Sequence, residues 1–242
     1  MGEILAFVSG KGGTGKTSMC AAVAVCLASC GKRVLCVDLD VGLRNLDIAL
    51  AMTEEGSLPF TSLLDGTYAA DQLTGHPAWP GLYLLTAPVN TEADNVDAAA
   101  FSNFLASVKE SYDFILLDAP AGVGAMFRMA VCAADQAIVV TGGDKATLRD
   151  AARAAQLLED TPARLLVNRL QTRLFTRMKT TVDDIMDEVS LPLLGLVPED
   201  RTVPLCAMGG KALQTSPHSP AAKAVRRITR RLLGEKIPLG KL

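Results

Sequence analysis

The chain has 242 residues, 49% of them apolar and 21% charged, and its 24 Lys and Arg stand against 26 Asp and Glu for a net charge of −2. That length can bury the core of one α/β domain over residues 1–242, and the charge balance excludes a protein that is basic all over, leaving room for local patches. No apolar run approaches the 18 or so residues of a membrane span, and the chain turns apolar too early for a secretory leader, so a cytoplasmic protein is expected.

Leu5 to Val8 reads as a buried strand and Thr17 to Cys30 as a helix rich in Ala, Val, Cys and Leu. The segment between them, Gly10-Lys11-Gly12-Gly13-Thr14-Gly15-Lys16-Thr17, fits G-x-x-x-x-G-K-[ST]. In that pattern backbone N–H groups wrap nucleotide phosphates, the lysine adds charge and the hydroxyl reaches Mg2+, so Gly12 to Ser18 are candidate nucleotide-binding residues. A glycine-rich turn without a ligand is the alternative. Cys20, Cys26, Cys30, Cys36, Cys132 and Cys206 sit mostly in apolar surroundings without C-x-x-C spacing and read as small buried hydrophobes. His76 and His218 lie among Pro and Gly and read as solvated loop residues.

Gly31 caps the first helix, and Arg33 to Asp38 reads as a second buried strand ending in acids. Asp38 and Asp40, two apart, can face the same way toward a Mg2+ or a water near the phosphates; the alternative is a solvated turn with a helix-capping acid. Leu46 to Met52 suits a short helix or strand, Phe60 to Gly66 a helical turn, Leu82 to Thr86 a strand, and Asp97 to Tyr112 a helix. Asp113 to Asp118 follows as a core strand, and a hydrophobic run ending in Asp118 has the Walker B pattern, which gains specificity from the phosphate loop upstream. Ala119 to Gly124 (A-P-A-G-V-G) reads as a switch loop or an ordinary tight turn.

From Gln136 the order continues as strand (Ala137 to Thr141), helix (Ala146 to Leu158) and strand (Arg164 to Asn168). Leu193 to Val197 is a further strand ending at Pro198-Glu199-Asp200. Asn168 with Arg169, and Pro198 to Asp200, thus put polar groups at the strand ends, where they suit a nucleobase or simple turn chemistry. A basic stretch with Arg169, Arg173, Arg177 and Lys179 reads as a solvated face, and Thr180 or Thr181 as a cap for a helix ending near Val189. Residues 220–234 form a basic amphipathic helix, with Lys223, Arg226, Arg227, Arg230 and Arg231 beside an Ala221, Val225, Ile228 and Leu232 stripe. Packing on the sheet with the arginines in water is favoured over lying on a membrane.

With these elements placed, the chain resembles the deviant Walker A ATPases, and within them the MinD septum-site-determining family, over nearly its whole length. The resemblance rests on K-G-G-T-G-K-T (Lys11 to Thr17), V-D-L-D-V-G-L-R-N-L-D (Val37 to Asp47), L-D-A-P-A-G (Leu117 to Gly122), V-N-R (Val167 to Arg169) and G-L-V-P-E-D (Gly195 to Asp200). It implies a single doubly wound, mostly parallel sheet flanked by helices, and an ATP- and Mg2+-dependent ATPase that dimerises on ATP as a spatial switch in cell division. Lys16 would hold the phosphates, Thr17, Asp38 and Asp118 would surround Mg2+, Asp40 would position the attacking water, and Lys11 would act across a homodimer. Asn168, with the Pro198 to Asp200 loop, would frame the adenine. A division-inhibitor or activator protein is the implied partner, at the inner face of the cell membrane where members attach through a short helix beyond the last core helix. Here only Gly240, Lys241 and Leu242 follow the stretch that resembles the end of that core helix. Lost membrane binding, a shortened sequence, and transfer of the role to Lys223 to Leu233 all remain open. Two other readings also stay open: a ParA-like ATP-gated DNA-binding protein using the Arg169 to Lys179 and Arg226 to Arg231 patches, although nucleic acid is not the expected partner, and an ATP-gated scaffold with little turnover.

Overall fold

The computed structural model describes residues 2–53, 56–69, 72–89, 96–171 and 181–239. Arg173, Arg177, Lys179 and Thr180 of the basic stretch, and Gly240 to Leu242, lie outside the described residues. In chain order the elements are β1 (Glu3–Val8), α1 (Lys16–Ser29), β2 (Val34–Asp38), α2 (Leu46–Leu50), α3 (Thr61–Leu64), β3 (Leu82–Leu85), α4 (Ala98–Val108), β4 (Phe114–Asp118), α5 (Ala125–Ala133), β5 (Gln136–Thr141), α6 (Lys145–Ala155), β6 (Ala163–Leu170), α7 (Val182–Val189), β7 (Leu193–Pro198), α8 (Thr202–Met208) and α9 (Pro220–Leu232).

The strands form one seven-stranded sheet in the order β3-β2-β4-β1-β5-β6-β7, parallel throughout. Parallel strands need crossover helices, and helices on both faces require side chains on both sides of each strand to be apolar. Strand β1 shows this by alternation: Leu5 and Phe7 face one core with α1, α2 and α9, while Ile4, Ala6 and Val8 face the other with α4 to α7. Helix α1 is apolar all round because the sheet, α2 and α9 enclose it, and its residues Met19 to Ala28 are all buried. Helix α9 buries Ala221, Val225, Ile228 and Leu232 against β7 and α1, as expected for a terminal helix packed on the sheet. Among the described residues no helix is long and apolar enough to cross a membrane.

Local chemistry starts the helices where the chain leaves the sheet. Asp97 and Asp144 accept from the first free amides of α4 and α6, and Thr181 with Asp184 makes a reciprocal capping box on α7. Two expectations are corrected. His76 is buried: its Nε2 lies 2.8 Å from the Leu50 carbonyl, its Nδ1 accepts from the Ala78 amide at 3.0 Å, and its ring meets Trp79 edge-on. The loop composition around it was visible locally, but the packing that covers it comes from α2. Cys30 and Cys132 are exposed, at the ends of α1 and α5, whereas Cys20, Cys26, Cys36 and Cys206 are buried; all six are free thiols.

Asp200 ties the exit of β7 to the last two helices. Its Oδ1 accepts from the Thr202 amide at 2.8 Å, and its Oδ2 accepts from Ser219 Oγ at 2.8 Å and the Ala221 amide at 3.1 Å. Burial opposes ionisation, but these hydrogen bonds outweigh it and hold the carboxyl below its ordinary range. A depressed folded value adds stability above the ordinary carboxylate range and loses it as pH falls through that value. Asp200→Ala is therefore expected to lower stability by about 1–2 kcal/mol at neutral pH. Urea midpoints should show the gap shrinking toward about pH 3; a gap that stays constant to that pH would contradict the assignment.

Candidate functional site

The C-terminal ends of β1, β2, β4, β6 and β7 converge on the loop between β1 and α1. The loop is shaped by close backbone approaches. A Cβ on Gly10 would lie 2.1 Å from the Asp150 carbonyl oxygen of α6, and one on Gly15, whose φ is +82°, would lie 2.3 Å from Asn168 Nδ2. Neither position admits a side chain, for reasons that lie far away in the chain. Among the described residues no protein acceptor takes the N–H groups of Gly12, Gly13, Thr14 or Gly15. Four adjacent unclaimed donors at a helix N-terminus are what an anion of phosphate type requires.

Lys16 opens α1 and is 6% exposed, with Nζ 2.5 Å from Asp118 Oδ1 and 3.4 Å from Thr17 Oγ1. Asp118 ends β4 fully buried, and its Oδ2 has no hydrogen-bond partner, like the buried Thr14 Oγ1. Burial pushes the Asp118 carboxyl above its ordinary value, and Lys16, followed by the Thr17 hydroxyl, pulls it back. Asp38 and Asp40 are tied to each other through the backbone. Asp38 is fully buried; its Oδ1 accepts from the Asp40 amide at 2.9 Å and its Oδ2 from the amides of Asn45 and Leu46 at 3.0 Å each. It thereby sets the turn that carries Asp40 into α2. Burial and the neighbouring Asp118 raise the Asp38 carboxyl against these amides. Asp40 is half-buried and is also raised, by burial and by Asp38, against the charge of Lys16.

Lys11 is exposed at the loop tip. The Ala119 to Gly124 segment lies beside it: the Gly122 amide donates to the Ser9 carbonyl at 3.0 Å, and Ala119 donates to the Phe7 carbonyl at 3.1 Å. On the other side, Asn168 is buried and donates from Nδ2 to the Thr14 carbonyl at 2.8 Å, while Arg169 donates to the Gly13 carbonyl at 3.2 Å. Arg169 approaches Glu199 at 3.6 Å, and Glu199 accepts from Gln171 at 2.6 Å. Pro198 ends β7 in register with Leu170, and the Asp200 carboxylate is committed to α8 and α9 rather than to the loop. A cleft of about 1090 Å3 runs from Gly13 and Thr14 between α6 and α7, past Gly142 to Arg149 and Glu188. Sequence reasoning missed two supports of the loop, Ser9 and Asp150, and the cleft wall at Gly142 to Asp144. Ser9 carries a hydroxyl that donates to the Lys11 carbonyl at 3.1 Å, and it lies within the motif's own neighbourhood. Asp150 and the Gly142 to Asp144 turn have no local signal, because only the fold brings them to the loop.

The residues present fit a nucleotide with Mg2+: free amides and a buried lysine for phosphate, and a hydroxyl and an unsatisfied carboxylate oxygen beside them. Among the described residues no three His, Cys, Asp or Glu side chains are grouped to hold a metal by themselves. That donor set suits Mg2+, which keeps waters and takes phosphate oxygens together with few protein ligands. A model of the CobQ/CobB/MinD/ParA nucleotide binding domain matches residues 5–213. The septum site-determining protein MinD of Bacillus subtilis is 36% identical over 246 residues, spanning 99% of this chain and 92% of that protein. The chain belongs to the MinD family. Among solved structures, the MinC:MinD cell division protein complex of Aquifex aeolicus superposes with a TM-score of 0.91 at 32% identity, over 99% of this chain and 98% of that one. MinD of Pyrococcus horikoshii, complexed with Mg-ADP, gives 0.85 at 27% identity, over 98% and 100%. As a member of this family the chain is a P-loop ATPase that uses ATP and Mg2+.

The pairing of Lys16 with Asp118 makes a distinct stability prediction. Removing the lysine strands a buried carboxylate, which costs about 3–5 kcal/mol when ionised. Because the Asp118 carboxyl is raised, protonation relieves the strain, so the cost is present above the folded value and fades below it. Lys16→Met should therefore lose about 3 kcal/mol at slightly alkaline pH and less as the medium is acidified, read by urea denaturation. A loss independent of pH would mean that the pair is not what holds Asp118.

Proposed function

We propose that this ATPase works as an ATP-dependent homodimer in septum placement, two protomers meeting through the edge of the sheet that carries the loop. The observation that carries the reading is the contrast between two lysines, Lys11 and Lys16, on one loop. Lys16 is buried on Asp118, whereas Lys11 is exposed and, among the described residues, its amine has no protein partner. A lysine that stays on its own phosphates has no reason to stand at the loop tip; one that reaches a neighbour's phosphates does. Further support comes from the exposed apolar side chains. Leu43 (70% exposed), Val89 (62%), Leu205 (66%) and Met208 (85%) all follow the C-terminal ends of β2, β3 and β7, on the same edge as Lys11. Exposed apolar residues after strand ends suit a face that another protein covers.

In this scheme the amides of Gly12 to Gly15 and the Lys16 amine bind the phosphates, and Thr17 and Asp118 stand beside Mg2+, with Asp38 acting through the turn it holds. Bound Mg2+ supplies positive charge that stabilises the transferring phosphoryl group. Asp40, held by Asp38 and kept partly proton-seeking by its raised value, orients the attacking water. Lys11 from the opposite protomer adds fixed positive charge where the transition state gathers negative charge, the main device available for this reaction. The adenine lies against Asn168 and the Pro198 to Asp200 loop. A division-inhibitor protein is the partner of choice, since the Aquifex relative is solved with MinC.

DNA gating by the terminal helix is less well supported. Arg226 donates to the Pro217 carbonyl, Arg230 pairs with Glu235, and Arg231 donates to the Leu194 and Ile237 carbonyls, which leaves Lys223 and Arg227 as the helix's cations without a partner among the described residues. The buried apolar stripe of α9 likewise argues against that helix lying on a membrane. We place the protein in the cytoplasm.

Sedimentation equilibrium with Mg2+ and a non-hydrolysable ATP analogue tests the scheme. Wild type should become a dimer, and Lys11→Ala should stay monomeric and lose about 10²–10³-fold in turnover, the size of one removed oxyanion donor. A wild type that stays monomeric, or a variant that dimerises and hydrolyses normally, would overturn it.

A further inference from the structure

A loop that turns its N–H groups toward a phosphate must turn its carbonyls away, and each of those carbonyls then needs a donor of its own or loses free energy. In this chain the donors are side chains. Ser9 Oγ donates to the carbonyl of Lys11 at 3.1 Å, Arg169 Nη1 to that of Gly13 at 3.2 Å, and Asn168 Nδ2 to that of Thr14 at 2.8 Å. The three bonds come from both flanks of the loop, one from the residue that follows β1 and two from the end of β6. The amides of Gly12, Gly13, Thr14 and Gly15 are left without a protein acceptor among the described residues.

The end of β6 is itself held in place for this. Arg169 has φ +54°, a left-handed conformation unusual for a side chain of its size, at an irregularity in the β6–β7 pairing between Val167 and Leu170. That twist lets consecutive residues, Asn168 and Arg169, both reach the loop, although in a regular strand their side chains would point to opposite faces. Glu199 fixes the outer end of the arrangement: its carboxylate lies 3.6 Å from Arg169, and its amide donates to the Leu170 carbonyl at 3.1 Å.

We propose that Asn168 and Arg169, with Ser9, are positioning residues for the phosphate loop: by binding its carbonyls they preset its amides for phosphate, independently of any contact with the base. The proposal rests on the reading that this loop takes the phosphates of ATP, and it assigns the two β6 residues a task at the phosphate end of the nucleotide, separate from the adenine contact proposed for Asn168.

The test uses two probes with Mg2+, a non-hydrolysable ATP analogue and inorganic triphosphate, titrated calorimetrically into wild type, Asn168→Leu, Arg169→Ala and Arg169→Gln. Asn168→Leu keeps the shape and drops the donor; Arg169→Gln keeps a donor and drops the charge. The expected result is a loss of about tenfold for both probes in Asn168→Leu and Arg169→Ala, as for one hydrogen bond to a preorganised site, with partial recovery in Arg169→Gln. Melting temperature is followed in parallel, and the Arg169 variants, altered at an exposed guanidinium, carry the test if Asn168→Leu does not fold. Loss of analogue binding with triphosphate binding intact would overturn the proposal by placing both residues on the base. Equal losses in Arg169→Gln and Arg169→Ala would overturn it for Arg169 by assigning the effect to charge. A wild type that binds neither probe would remove the nucleotide reading and this proposal with it, whereas unaffected variants beside a binding wild type would remove this proposal alone.

Discussion

A lysine and an aspartate buried together at 2.5 Å, Lys16 and Asp118, are the contact on which the rest of the site depends. Each is a charge that the core would otherwise reject, and each makes the other tolerable. Their meeting requires β1 and β4 to be neighbours, so that the start of α1 and the end of β4 arrive at the same edge of the sheet. The pair also makes the site responsive. A phosphate offers a buried ammonium more negative charge than one carboxylate does.

Around that pair the carboxylates divide the work by their hydrogen bonds. Asp38 gives both oxygens to backbone amides and shapes a turn. Asp40 stands half-buried on that turn, and Asp200 joins the end of β7 to two helices. Asp38 and Asp200 therefore brace different parts of the fold, although a sequence pattern describes both as acids at strand ends. The sheet makes this division possible: parallel strands deliver every loop to one edge, and there the loops can brace one another.

Much of this was legible in the sequence. The strand, glycine loop and helix around Lys16 have periodicities and a motif that are local, and so do the apolar runs ending at Asp38 and Asp118. The all-parallel sheet follows from strands that are apolar on both faces and joined by helices. What escaped is non-local. The loop role of Asn168 depends on a twist at Arg169 and on a contact 154 positions away; Gly10 is confined by Asp150 of α6; and His76, set among turn residues, is buried because α2 folds over it. For Asp38, spacing shows which face the side chain takes but not that it meets the amides of Asp40, Asn45 and Leu46 there.

The account stands most directly on what becomes of the Lys16–Asp118 pair when ATP binds. A crystal structure of this chain with Mg2+ and a non-hydrolysable ATP analogue measures it. The account predicts that Lys16 Nζ leaves Asp118 for the phosphate oxygens and that Asp118 turns to the hydration shell of Mg2+, with the loop carbonyls still held by Ser9, Asn168 and Arg169. An analogue bound in the loop while Lys16 remains on Asp118 would contradict it.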